Sequence, residues 1–178
     1  MNIDLTKDAV STAKKLIGCR LYTIASDGTR VGGIITETEA YNQDDAASHS
    51  YKGKTPRTEV MFGPAGHIYV YFTYGMHWCM NIVVGEEGRG EAVLIRALLP
   101  DSGLDIIRKR RNNKQDHELT NGPAKVCQAL SVTGADNGAE LNKGRFVLLS
   151  PKHALVFEAT ERIGITKDRH RLWRFVAK

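Results

Sequence analysis

A chain of 178 residues with 42% hydrophobic side chains is the size of one domain and can bury a core without disulfides. Its formal charge of +5 makes a polyanion such as nucleic acid a reasonable partner, although a solubility role explains such a charge equally well. The three cysteines, Cys19, Cys79 and Cys127, form no C-x-x-C pair, which argues against a redox or zinc motif. No segment approaches the roughly 18 apolar residues of a membrane span, and Met1 to Leu5 shows no signal-peptide core, so a cytoplasmic protein is expected.

In chain order, Ala9, Val10, Ala13, Leu16 and Ile17 fall at helical spacing and predict a helix over Lys7 to Ile17, with Thr6 as N-cap and Gly18 as stop. Ser26-Asp27-Gly28-Thr29 reads as a hairpin turn between strands Cys19–Ala25 and Arg30–Tyr41. Residues 42–67 are polar and turn-rich, a long loop for a compact domain and therefore expected to touch substrate. The β-rich runs His67–Thr73 and His77–Val84 are broken at Tyr74-Gly75, and a further strand covers Ala92–Leu99. Pro100-Asp101 is expected to open a short helix through Ile106 and Ile107, and Pro123 to begin another that carries Val126, Cys127 and Leu130. Strand-like runs follow near 145–149, 154–161 and 172–176. Together these predict an α+β fold, one domain over 1–178, with a curved, open-barrel-like antiparallel sheet flanked by a few helices.

Two stretches could carry chemistry. In Thr36-Glu37-Thr38-Glu39-Ala40-Tyr41, alternation puts Glu37, Glu39 and Tyr41 on one face of a strand, a pattern that also suits a solvated edge. Residues Ile68 to Trp78 hold five aromatic rings in eleven positions. Tyr69 and Tyr71 share a face there, and Tyr74 adjoins a glycine that permits a sharp turn. An aromatic core strand would look the same, but an enzyme acting on a base within a duplex needs a wedge for the vacated stack and aromatic walls for the extruded base.

T-E-T-E-A-Y, D-D-A-A-S-H-S (44–50), T-P-R (55–57), Y-V-Y-F-T-Y-G-M-H-W-C-M-N (69–81), V-L-I-R-A-L (93–98) and N-G-P-A-K (121–125) occur as separated motifs in order. Together they closely resemble the alkyladenine (3-methyladenine) DNA glycosylase family, and the resemblance runs on to Leu172-Trp173-Arg174-Phe175. Leu172 departs from the family's pattern, where a proline is expected. The resemblance implies a monofunctional glycosylase of base excision repair that flips alkylated or deaminated purines from duplex DNA and hydrolyses the N-glycosidic bond. It implies Glu39 as general base, with Arg96 and the main-chain carbonyl of Ile165 holding the water. It also implies Tyr41 and Tyr71 as walls around the base, His49 at the base edge and Asn81 as a check on purine shape. Tyr74 is implied as the wedge, with Met76, His77 and Arg57 as DNA contacts. No metal or cofactor is expected; the partner is double-stranded DNA with damaged purines, met by a monomer in the cytoplasm and on the nucleoid.

Rival chemistries leave different marks. A bifunctional lyase needs an amine nucleophile, for which Lys125 is the only motif candidate. A zinc deaminase needs H-x-E and P-C-x-x-C, and neither occurs. A binding module without catalysis would be indifferent to Glu39. The basic run Arg108-Lys109-Arg110-Arg111, with Lys114, reads either as phosphate contacts or as a solvated turn.

Overall fold

The computed structural model describes residues 3–178. It contains α1 (Ala9–Leu16), β1 (Arg20–Ile24), β2 (Arg30–Tyr41), β3 (Ile68–Thr73), β4 (His77–Val83), β5 (Ala92–Ser102), α2 (Leu104–Arg110), α3 (Pro123–Leu130), β6 (Phe146–Leu149), β7 (Phe157–Thr160) and β8 (Arg174–Ala177). All strand pairings are antiparallel, in the order β3-β4-β5-β2-β1-β6, with β8 joining β2 and β7. The α+β expectation holds. Among the described residues no helix is long and apolar enough to cross a membrane.

The twelve-residue β2 organises the molecule. One of its edges carries β5; the other is divided between β1, opposite Arg30 to Ile34, and β8, opposite Glu37 to Glu39. Gly33 lets the β2 and β5 backbones approach closely, since a Cβ there would stand 2.0 Å from the carbonyl oxygen of Leu99; Gly32 does the same toward β1, where a Cβ would stand 2.1 Å from the Leu21 carbonyl oxygen. Glu37 is opposite Ala97 and Thr38 is opposite Ile95, so Arg96 is an extra residue in β5. Such a bulge bends a strand and re-aims a side chain.

Helices α1 and α3 cover one face of the sheet, and the core of Leu16, Leu21, Ile35, Ile82, Ile95, Ile107, Phe146 and Phe175 lies between these layers. Thr38 Oγ1 donates to the Ala13 carbonyl at 3.0 Å, which ties the apolar side of β2 to α1 and leaves Glu37 and Glu39 on the opposite side.

Several expected boundaries move. The cap of α1 is Asp8, whose carboxylate accepts from Ser11 N at 2.9 Å, while Thr6 bonds to Asp4 instead. Pro100 and Asp101 do not open a helix: β5 continues through them because Pro100 sits opposite Gly33 at the close approach. Helix α2 begins only after Gly103, whose φ of +70° turns the chain. The last strands are shorter than expected, at Phe157–Thr160 and Arg174–Ala177. In the basic run, Arg108 pairs with Asp105 and Asp116, Arg110 caps the Ala129 carbonyl, and Arg111 bonds to the Leu119 carbonyl and to Gln128. Three of its guanidiniums thus knit the end of α2 to the rest of the fold.

Candidate active site

The second face of β2 opens onto a cavity of about 420 Å³, within the range of small-ligand sites. Five of the sequence motifs meet there. Strand β2 supplies Glu39 and Tyr41, the 42–67 loop supplies His49 and Met61, and the β3–β4 hairpin supplies Tyr69, Tyr71, Tyr74 and Asn81. Arg96 comes from the β5 bulge, Pro123 from the start of α3, and Ile163, Gly164 and Ile165 from the approach to β8.

Glu39 is 0% exposed, which excludes the solvated-edge reading. A buried carboxylate needs partners for both oxygens, and it has them. Oε1 accepts from the Ile163 N–H at 2.8 Å; Oε2 accepts from the Tyr41 hydroxyl at 2.8 Å and faces Arg96 Nη1 at 3.3 Å. Arg96 is held in turn by Glu37, whose Oε1 accepts from Arg96 Nε at 2.8 Å and from Arg174 Nε at 2.5 Å. Burial works against the charge of Arg96, but Glu39 and Glu37 outweigh it, so its pKa stays above the ordinary guanidinium value. Burial, then the charge of Glu39 and the hydrogen bond to it, push the Tyr41 phenol far above its usual value; it remains a neutral donor.

Tyr71 is likewise driven upward, chiefly by burial. Its ring meets His49 edge-on at 4.5 Å between centroids, and His49 Nδ1 lies 3.0 Å from the Tyr69 hydroxyl. Burial, then the Arg57 charge, lowers the His49 pKa, favouring a neutral ring at pH 7. Asn81 Nδ2 donates to the Tyr69 carbonyl at 3.1 Å, which fixes the orientation of a nearly buried amide.

At the cavity mouth the β3–β4 turn closes through Met76 N to Thr73 O at 3.2 Å. Both central residues have positive φ, +52° at Tyr74 and +66° at Gly75, and Tyr74 is 80% exposed. A left-handed tyrosine pushed into solvent is unusual enough to suggest a role. Met76, 68% exposed, stands beside it. Met76, His77 and Arg57 do not line the cavity; Arg57 is exposed, with its guanidinium over the Tyr71 ring at 5.9 Å. Lys125 is also outside it, with Nζ donating to Asn121 Oδ1 at 2.7 Å.

Sequence reasoning assigned no role to three features. One is the Ile163 N–H on Glu39, a backbone group that no side-chain pattern announces. The second is Tyr69, which closes the wall behind His49. The third is the fully buried ion pair of Arg162 with Asp45, in which the guanidinium also donates to the Ala40 carbonyl and covers the Tyr41 ring at 4.7 Å. Asp45 lies within the D-D-A-A-S-H-S motif, which was the available signal.

Residues 3–178 match the profile of the methylpurine-DNA glycosylase (MPG) family. The chain belongs to this family. Among its relatives, a Carboxydothermus hydrogenoformans protein is 46% identical over 175 residues, 97% of this chain and 91% of that one. One from Agrobacterium fabrum is 46% identical, with 95% and 83% covered. One from Methanoculleus marisnigri is 45% identical, with 97% and 91% covered. Each of the three carries the name "Putative 3-methyladenine DNA glycosylase".

Proposed function

We propose that the protein is a monofunctional DNA glycosylase that acts, as a monomer, on alkylated or deaminated purines flipped out of duplex DNA, with Glu39 activating the water that releases the base. The observation that carries this reading is the position of Glu39: a buried carboxylate at the wall of a cavity lined by Tyr41, Tyr69, Tyr71 and His49, beside the Arg96 guanidinium. Breaking an N-glycosidic bond gives the sugar oxocarbenium character, so one carboxylate beneath it can both deprotonate water and stabilise the developing charge. Arg96 and the Ile165 carbonyl hold the water in this scheme. Tyr41 and Tyr71 sandwich the base, His49 meets its edge, and Asn81 rejects purines of the wrong shape. Tyr74 fills the vacated stack, flanked by Met76 and His77, while Arg57 contacts the backbone.

Electron-rich rings favour bases carrying a positive charge after N3 or N7 alkylation, by about 0.5–2 kcal/mol per good contact. Arg162 over Tyr41 and Arg57 over Tyr71 already occupy ring faces with cations, and this moderates that preference. Neutral lesions such as hypoxanthine and etheno-adenine then rely on shape and edge hydrogen bonds. A lyase is disfavoured because the Lys125 amine is bonded to Asn121 away from the cavity.

The test uses end-labelled duplexes carrying hypoxanthine, etheno-adenine, 7-methylguanine or no lesion, with and without hot alkali, for wild type and Glu39→Gln. Breaks that need alkali and need Glu39 support the reading. Breaks without alkali point to a lyase, and lesion binding without abasic sites points to a binding module.

A further inference from the structure

The scheme above uses Arg162 only as a cation over the Tyr41 ring and gives Asp45 no part, yet both carboxylate oxygens of Glu39 lead back to this buried pair. Oε2 is bonded by the Tyr41 hydroxyl, and the Tyr41 ring lies under the Arg162 guanidinium at 4.7 Å. Oε1 is bonded by the N–H of Ile163, the residue that follows Arg162 in the chain. Arg162 also donates to the carbonyl of Ala40, which lies between Glu39 and Tyr41, at 3.0 Å. Its position is over-determined: two nitrogens on Asp45, Trp173 at 5.3 Å from the guanidinium, and no exposed side-chain surface on either ion. Asp45 in turn accepts from Ala47 N at 3.0 Å, which orders the turn leading to His49.

A buried ion pair is weak grounds for stability, because desolvation offsets much of the attraction. Its persistence at this point calls for another account. We infer that the Arg162–Asp45 pair is a positioning device that clamps the Glu39 carboxylate at both oxygens, through the Tyr41 ring on one side and the Ile163 N–H on the other. Without the clamp the carboxylate can rotate or fold toward Arg96, and the water it serves is no longer in line with the sugar. Tyr41 thereby has two separable roles, a wall for the base and a hydroxyl that holds the base catalyst. A lysine in place of Arg162 keeps the charge opposite Asp45 and loses the planar fork that reaches Ala40 while covering Tyr41.

This inference rests on the proposed function, and the experiment separates the two. Lesion-duplex dissociation constants, single-turnover excision rates and melting temperatures are measured for wild type, Tyr41→Phe, Arg162→Lys, Asp45→Asn and the Tyr41→Phe/Arg162→Lys double variant. Tyr41→Phe keeps the wall and the fold, so it stays informative if the ion-pair variants melt early. Expected are rates about ten- to hundred-fold lower for Tyr41→Phe and Arg162→Lys, the scale of a small misplacement of a reacting group. Lesion affinity should stay within about threefold, and the double variant should be no slower than the slower single, as for residues acting as one unit. Full excision rates in Tyr41→Phe, or losses that multiply in the double variant, overturn the clamp. Failure of the wild type to excise any lesion overturns the proposed function itself.

Discussion

Arg96 Nε donates to Glu37 Oε1 at 2.8 Å while its Nη1 stands 3.3 Å from Glu39 Oε2, so one guanidinium spans two acids of the same strand. The acid nearer solvent thus orients the arginine for the acid in the cavity. Glu37→Gln keeps the shape and removes the charge that draws in both Arg96 and Arg174. Excision should slow by about tenfold, the lower end of what a displaced contact causes, with lesion affinity little changed. Single-turnover rates at saturating enzyme measure this directly; a rate equal to wild type would show that Arg96 orients itself.

Tyr74 combines a strained backbone with an exposed ring, and the two can be separated by Tyr74→Gly. Glycine adopts positive φ without penalty, so the variant should be as stable as wild type or up to about 1 kcal/mol more stable. Excision from duplex DNA should fall, because nothing fills the emptied stack, while excision from a single strand, which has no stack to refill, should be spared. Equal losses on both substrates would remove Tyr74 from the wedge role.

His49 is held below its ordinary pKa by burial first and by Arg57 second. An NMR titration should place its midpoint below 6.5, and Arg57→Gln should raise that midpoint without restoring it fully, since burial remains. The sign for stability follows from proton binding. Between the folded pKa and 6.5 the unfolded chain holds more protons, so this contribution is complete above pH 6.5 and is lost as pH falls toward the folded value. His49→Gln should flatten that part of the stability profile, read from melting temperatures between about pH 5 and 7.

The close approach of β2 and β5 gives a test of the fold. A methyl at Gly33 would meet the Leu99 carbonyl at 2.0 Å, whereas one at Gly144 meets nothing within 4 Å. Gly33→Ala should cost about 1–3 kcal/mol, as forced overpacking does. Thermal midpoints should drop by roughly 2–4 °C for each of those kcal/mol in a domain of this size, with Gly144→Ala as the unaffected control.

Much of the frame was legible because local signals agreed with their partners. Asp27-Gly28 marked the first hairpin, Tyr74-Gly75 the second, and Pro123 the start of α3. Alternation along Glu37, Glu39 and Tyr41 put them on one face, as found. Pro100 misled because proline and aspartate often open helices, while Gly33, which admits Pro100 to a strand, lies on another element. The Arg96 bulge, the Ile163 N–H and the Arg162–Asp45 pair were not legible for a shared reason. Each is defined by register or by contacts across more than a hundred residues, and side-chain periodicity carries no such information.

The junction of β8 with Glu37 to Glu39 also bears on timing. Ribosomes deliver residues 161–177 after β2, β5 and the aromatic side of the cavity, although a single domain folds as a unit. Until that late segment docks, Glu39 lacks its Ile163 bond and its Arg162-braced neighbour, so a chain still short of that segment has no oriented carboxylate. The orientation of this carboxylate is thereby deferred to the close of synthesis, and a nick between Thr160 and Arg174 in the finished protein would release it while most of the sheet still stood.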